Sequence, residues 1–423
     1  MKATQKVVIV GGGFAGMNLI KKLTNDDCFQ VTLVDMHNYH FFPPLLYQVA
    51  TAFIEPSAIS YPFRRMFQKK KNLRFHLGCL VRVMPERNAI ETDTGMLEYD
   101  ILVLAVGTET NYFGMENVRK HALPMKTISD ALNLRNFLLL NMEKAVRAQD
   151  RADKERHLNM VIAGGGPTGV EIAGMLAELG RNIRMKEYPE ITDLQGHIYI
   201  IDAGPTLLGP MSKTAQKEAT EVLSRLGVHI TLNTAVKDYV DGKVILSTGE
   251  SIDTNVLIWA SGVTGREVPG LPQEVLGRGR RILVDEFNRV QGTSNIYALG
   301  DICLQTSDPA FPNGHPQLAQ VAIQQGQNLA LNLKRMVDGE PLSPFRYHDK
   351  GSMAIIAKYK AVADLPKFSF KGFFAWMVWL FIHLIPIAGF RNKMKLAFSW
   401  LWSFMTNDPT LRLIIRPNPD DVK

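Results

Sequence analysis

Three sets of residues in this chain have types and spacings that could do chemistry. The first is glycine in the pattern G-x-G-x-x-G, present twice. Gly11, Gly13 and Gly16 stand in KVVIVGGGFAG, and Gly164, Gly166 and Gly169 in NMVIAGGGPTGVE. The second is a carboxylate after each run: Asp35 ends QVTLVD and Asp202 ends HIYIID. The third is a scatter of polar groups in apolar settings: Glu171, Asp301 after Gly300, and the pair Gln320 and Gln324.

Each glycine run follows a short apolar stretch that reads as a buried parallel strand and opens a segment that reads as helix. In that context the pattern is a dinucleotide fingerprint. The first glycine permits a tight strand-to-helix turn, the second a close backbone approach to a pyrophosphate, the third close helix–strand packing. The helix N-terminus then offers free N–H groups to the phosphates. A carboxylate at the end of the next strand grips a ribose hydroxyl. Asp35 stands at the expected distance of roughly 20 residues. Asp202 comes later, and the extra IRMKEYPEITDLQGH reads as a polar excursion before the strand. The plainer reading is a glycine turn that only joins strand to helix. Two copies in one chain imply two dinucleotides and electrons passing between them.

These residues need elements to position them. The chain has 423 residues, enough for two or three domains with real cores. Strand-like and helical patterns alternate, which implies parallel α/β sheets. YDILVLAVGTET ends in a strand and a turn at Gly107, and VLIWASGVTG repeats that arrangement with Gly262. Between them, residues 127–150 read as one amphipathic helix, with Ser129 or Asp130 as its N-cap. The helix in HPQLAQVAIQQGQNLALNLKRMV is interrupted by Gly326. The expected fold class is α/β: two Rossmann-like dinucleotide-binding domains, the second inserted in the first, plus C-terminal amphipathic membrane-associating helices. The expected boundaries are 1–156 and 271–345 for the first domain, 157–270 for the second and 346–423 for the C-terminal region.

Composition narrows the function classes. The three cysteines, Cys28, Cys79 and Cys303, share no paired spacing, so neither a disulfide framework nor a metal site is expected. With no secretory segment before Lys6, a reducing, cytosolic compartment is expected. The net charge of +7 lies wholly after residue 340, where 12 lysines and arginines face 5 acids. That charge is interleaved with the most apolar stretch of the chain, which points to a membrane surface and away from nucleic acid. FFAWMVWLFIHLIPIAGF is almost wholly apolar over 18 residues, and LAFSWLWSFMT follows the basic RNKMK. Lys395, Ser399 and Ser403 make one narrow polar stripe. Trp376, Trp379, Trp400 and Trp402 suit the headgroup level of a bilayer. A buried helical hairpin and a single membrane span are the alternatives. The short length and Pro386 favour helices lying in the interface.

The polar set admits competing roles. Asp301 could bind a sugar-alcohol chain or cap a helix. Glu171 reads as a carboxylate stabilised in a helix's first turn. Gln320 and Gln324 share one helix face. Uncharged amides there suit a carbonyl ligand, at less desolvation cost than a charge, or they are polar surface. Cys303 reads as a small buried hydrophobe.

With NYHFFPPLLYQVAT at 38–51, GGGPTGVE at 164–171, ALGD at 298–301, AQVAIQQG at 319–326 and GFRNKMKLAFSWLWSFMT at 389–406, the whole chain resembles the type II NADH dehydrogenases, single-subunit NADH:quinone oxidoreductases. The resemblance implies FAD held by Gly11, Gly13, Phe14, Ala15, Gly16, Asp35, the backbone near Leu80, Gly107 and Asp301. It implies NADH held by Gly164, Gly166, Gly169, Asp202 and Gly262, with Asp202 favouring NADH over NADPH. Glu171 is expected near flavin and nicotinamide, with Gln320 and Gln324 at a quinone site. The implied activity takes a hydride from NADH to FAD and then two electrons to a membrane quinone, menaquinone or ubiquinone, in a respiratory chain, without pumping protons. The implied place is the cytoplasmic face of the cell inner membrane, as a peripheral, monotopic protein, and a homodimer through the C-terminal region is the favoured assembly. A flavoenzyme passing electrons to a ferredoxin or oxygen would need no apolar tail. A non-catalytic NADH sensor would hold a long-lived reduced flavin.

Overall fold

A computed structural model describes residues 4–194, 196–406 and 411–415; of the C-terminal region, 407–410 and 416–423 lie outside the described residues. The chain folds as two compact units. Unit 1 comprises residues 1–41, 61–109 and 263–349, and unit 2 comprises 42–60, 110–262 and 350–423.

Unit 1 is built on a five-stranded sheet in the order Ile296–Ala298, Ile101–Leu104, Gln5–Val10, Phe29–Asp35, Leu73–Leu77, every pairing parallel. Its strands are apolar on both faces because both are covered. One face carries Val7, Ile9, Leu33 and Val103 against the fingerprint helix Phe14–Leu23 and the helix Ala319–Asp338. The other carries Val8, Val10 and Leu104 against Ile282, Val284 and Ile302. Gly326 does not break its helix. A Cβ there would stand 2.4 Å from the Ala15 carbonyl oxygen, so the glycine lets the two helices touch backbone to backbone.

Unit 2 repeats the plan. Its parallel sheet runs Leu123–Pro124, Val256–Trp259, Met160–Ala163, Ile198–Ile201, Val228–Thr231. The late arrival of Asp202 has a regular cause: the second fingerprint helix extends from Pro167 to Glu187, so most of the added sequence before Pro189 is helix. The helix read from residues 127–150 spans Ile128–Arg147. Its cap is Thr127, which precedes both of the residues expected there. The Thr127 hydroxyl accepts from the Asp130 N–H, and Asp130 accepts back from the Thr127 N–H, a closed capping box.

The C-terminal part of unit 2 is a three-stranded antiparallel sheet, Ser352–Ala357, Lys360–Asp364 and Ser369–Gly372, followed by helices Phe373–Leu384 and Phe390–Thr406. Among the described residues no helix is long and apolar enough to cross a membrane. Three of the four tryptophans expected at headgroup depth are instead core: Trp376, Trp379 and Trp400 are buried, and only Trp402 is exposed. The polar side of the last helix faces protein. The Asn392 amide donates to the Ser60 carbonyl, Lys395 pairs with Glu55 at 3.7 Å, and Ser403 is buried. Phe373, Phe374, Phe381, Phe390, Phe398 and Met405 point outward, each more than half exposed.

Candidate functional site

Each glycine of the fingerprint has a distinct task, the same in both units. At Gly11, φ is +106° and a Cβ would meet the Ala105 carbonyl oxygen at 2.3 Å; at Gly164, φ is +112° and the Ala260 oxygen would lie at 2.5 Å. These are turns no L side chain fits. Gly16 and Gly169 would drive a Cβ to 2.0 and 1.8 Å from the carbonyl oxygens of Gly11 and Gly164. Gly13 and Gly166 differ from both, because a Cβ there would meet nothing within 4 Å. Space is reserved in front of the middle glycine, where a pyrophosphate would approach. The Phe14–Leu23 helix behind Gly13 has no side-chain cap and no acid in its first turn, so its N–H groups remain available to an anion.

The carboxylates are duplicated with equal fidelity. Asp35 Oδ2 accepts from the Gly12 N–H at 2.6 Å and Oδ1 from the His37 N–H at 2.8 Å. Asp202 Oδ2 accepts from Gly165 at 2.5 Å and Oδ1 from Gly204 at 2.6 Å. Each acid is thus pinned beside its own glycine turn. Burial raises the Asp35 carboxyl above its ordinary range, and the two amide donors oppose that rise. Both sites fit a dinucleotide on these grounds.

The other residues expected at the first site fall in unit 1. Phe14 and Ala15 open the fingerprint helix, with Phe14 edge-on to His40. The Gly78 N–H donates to the Asp35 carbonyl at 3.0 Å, which brings the Leu80 segment beside the end of that strand. Gly107 takes φ +69° with open space before it. Asp301 follows Gly300, whose φ is +73°, and the Thr108 hydroxyl lies 3.5 Å from Asp301 Oδ2. The turn is held from behind by Gln325, a residue that sequence reasoning did not single out. Fully buried, Gln325 accepts from the Gly300 N–H at 2.7 Å and donates to Cys303 Sγ at 3.5 Å. Cys303 is the buried hydrophobe expected, its thiol pushed up to about 11 chiefly by burial.

Gln320 and Gln324 do share a half-buried face of the Ala319–Asp338 helix. Gln324 is committed at both ends: its amide donates to the His348 carbonyl at 2.9 Å and accepts from the His348 N–H at 3.1 Å. It braces the chain after Phe345. In unit 2, Gly262 takes φ +141°, and its carbonyl accepts from the Asn111 N–H at 3.1 Å.

Glu171 lies beyond the first turn of its helix, so the helix dipole is not what governs it. It is 8% exposed, and the Ile355 N–H donates to it at 3.4 Å. Burial pushes its carboxyl up to about 8, with that one long bond opposing. Gly174 makes this environment possible. A Cβ there would stand 1.6 Å from the Ile356 carbonyl oxygen, so the strand Ser352–Ala357 crosses the helix directly on its backbone.

Beside it is a polar ladder buried in unit 2. The Trp400 indole N–H donates to Gln48 Oε1 at 2.8 Å, and Gln48 Nε2 donates to the Tyr47 hydroxyl at 3.1 Å. An indole can only donate, which fixes the Gln48 amide and makes the Tyr47 oxygen an acceptor. The Tyr47 proton is left to be given elsewhere. Burial first, and Glu171 second, raise that phenol well above its ordinary value. The signal in the sequence was a polar pair, Tyr47–Gln48, inside the apolar run FFPPLLYQVA.

The sequence matches the pyridine nucleotide-disulphide oxidoreductase family over residues 5–326 and the NDH2 C-terminal domain over residues 349–407. It is 35% identical to the type II NADH:quinone oxidoreductase NdhA of Mycobacterium tuberculosis, over 95% of this chain and 87% of that protein. It is 32% identical to Ndh of the same organism, over 95% and 88%. The fold is similar to that of NDH2 from Plasmodium falciparum solved in complex with NADH, with a TM-score of 0.88, 22% identity, and 98% and 100% of the two chains covered.

Proposed function

Because the chain belongs to the type II NADH:quinone oxidoreductases, we propose that unit 1 holds FAD at its glycine turn and unit 2 holds NADH at the matching turn. The observation that carries this is the duplicated cradle: open space before Gly13 and Gly166, each beside a carboxylate pinned by two amides. FAD held there would supply the two-electron chemistry, taking a hydride from NADH and passing the electrons to a quinone.

The chain's own residues bind, orient and supply protons. Asp35 and Asp202 hold ribose hydroxyls. An acid at Asp202 repels a 2′-phosphate, which selects NADH over NADPH. The Leu80 backbone and the Gly107 and Asp301 turns complete the flavin's grip, and Gly262 the nicotinamide nucleotide's. Reduction of a quinone to a quinol takes up two protons. Glu171, with a carboxyl pKa of about 8, is mostly protonated near neutrality and is matched to general-acid work there. Tyr47, aimed by Gln48 and Trp400, donates a hydrogen bond to a quinone carbonyl. Gln320 offers an uncharged amide for the same class of ligand, and Gln324 holds His348 in place.

The outward Phe and Met side chains of the last two helices lie on a bilayer surface on the cytoplasmic side. Asn392, Lys395 and Ser403 of the last helix bind protein while Phe373, Phe374, Phe381, Phe390, Phe398 and Met405 face out, the arrangement a monotopic anchor needs. Electron transfer is not coupled to proton pumping.

The test is anaerobic mixing of FAD-loaded protein with NADH, followed by flavin absorbance, then addition of a short-chain quinone. Rapid bleaching and rapid recovery on quinone are expected. Bleaching without recovery would move the acceptor elsewhere and refute the quinone reading.

A further inference from the structure

Unit 2 contains a recess that none of the roles above uses. It lies between the Ile128–Arg147 and Pro167–Glu187 helices, walled by Leu138, Leu139, Met142, Leu158, Leu176 and Leu179. Its empty volume, counting the open mouth, is about 720 Å³.

One lining residue does not belong in such a wall. Arg135 is 5% exposed, and its Nε has no hydrogen-bond partner. Among the described residues its guanidinium makes neither a hydrogen bond nor an ion pair. Glu55 acts on it only at a distance, and the Glu55 carboxylate is paired with Lys395. A charge largely withdrawn from water and left without a partner is unfavourable. Arg412, at the rim, is already paired with Glu187. The segment carrying it is tied down by Asn136, whose amide donates to the Ile415 carbonyl and accepts from the Ile415 N–H.

An apolar trough with one buried, unmatched guanidinium asks for an apolar chain ending in a single anion. We propose that this recess binds a long-chain fatty acid, its carboxylate on Arg135 and its hydrocarbon chain along the leucine wall. A carboxylate matches the planar fork of an arginine in a bidentate pair. It is also small enough to be buried with it, unlike a phosphodiester bearing glycerol and two chains. A neutral isoprenoid quinone would leave the charge unmatched.

The experiment uses the full, FAD-loaded chain in a non-ionic detergent and a palmitate analogue carrying a photoactivatable diazirine in its chain. After illumination, the labelled peptides are mapped by mass spectrometry. Labels are expected on the Leu138–Met142 and Leu176–Leu179 walls. Excess palmitate should displace the probe at least tenfold better than palmityl alcohol. Arg135→Leu should cut labelling at least tenfold, and Leu179→Trp, which fills the trough, should remove it. Freed of bound lipid, Arg135→Leu should also melt no lower than the parent protein, since it removes an unpaired charge. Equal labelling of Arg135→Leu, or labels elsewhere, would overturn the proposal. So would better displacement by dipalmitoylphosphatidylglycerol or a decyl quinone, each of which would give the recess to a different ligand. A lower melting temperature for Arg135→Leu than for the parent, both freed of lipid, would show that the arginine has a partner within the protein and would overturn it too.

Discussion

Glu171→Gln tests the site through stability as well as rate. In the folded chain the carboxyl is raised from 4.5 to about 8, so the fold holds a proton that the unfolded chain releases at much lower pH. Stability therefore falls as pH rises through that window and levels off above it. A tenfold change in an acid's dissociation constant is worth about 1.4 kcal/mol. The wild-type side chain accordingly costs the fold about 3 kcal/mol at pH 7 and about 5 kcal/mol at pH 9. Glutamine mimics the neutral acid and does not titrate. The variant should be more stable than wild type at pH 9, and its advantage should grow by roughly 1–2 kcal/mol between pH 7 and 9. Paired urea titrations across that range measure this. Turnover with quinone should fall, while the NADH-driven bleaching step should survive. A stability advantage that is absent, or that shrinks as pH rises, would refute the claim that this carboxyl is held neutral by burial.

Trp400→Phe removes the indole N–H that fixes the Gln48 amide. A buried acceptor left bare costs about 1–3 kcal/mol, and quinone turnover should drop more than flavin reduction by NADH, as stopped-flow traces of the two half-reactions would show. Gly13→Ala should leave the melting temperature of the flavin-free protein unchanged yet abolish FAD binding, whereas Gly16→Ala should fail to fold, both read by thermal melts and bound-flavin absorbance. Asp202→Ser should lower the ratio of kcat/KM for NADH over NADPH at least tenfold, because it removes the charge that repels a 2′-phosphate. Replacing Phe374 and Phe398 together by Glu should leave the fold intact and lower binding to phospholipid vesicles in a flotation assay, by about 2–3 kcal/mol for each aromatic side chain no longer buried in the bilayer.

The two sheets and their glycine turns were legible because a strand, a tight turn and a helix leave a local pattern. The apolar C-terminal helices were legible too, as a shift in composition. What escaped is non-local. Nothing near Leu46–Ala50 says that this short helix packs with unit 2, where Gln48 meets Trp400 some 350 residues later. The tryptophans read as interfacial because their chemistry allows it, yet burial against the sheet and one another took three of them inward. Thr127 was missed as the helix cap because Ser129 and Asp130 offered equally good chemistry close by. Gln325 looked like its neighbour Gln324 in sequence, but the helix turns it into the core and leaves Gln324 at the face.

The strand that crosses Gly174 and the tryptophan that anchors Gln48 both lie in the C-terminal region. A water-soluble form made by cutting the chain after about Phe368 would therefore lose more than its apolar helices. It would shed Trp400, release the Gln48 amide and strip away the helices packed on the sheet that shelters Glu171. Rates measured on such a trimmed protein would describe a different acid in a wetter place.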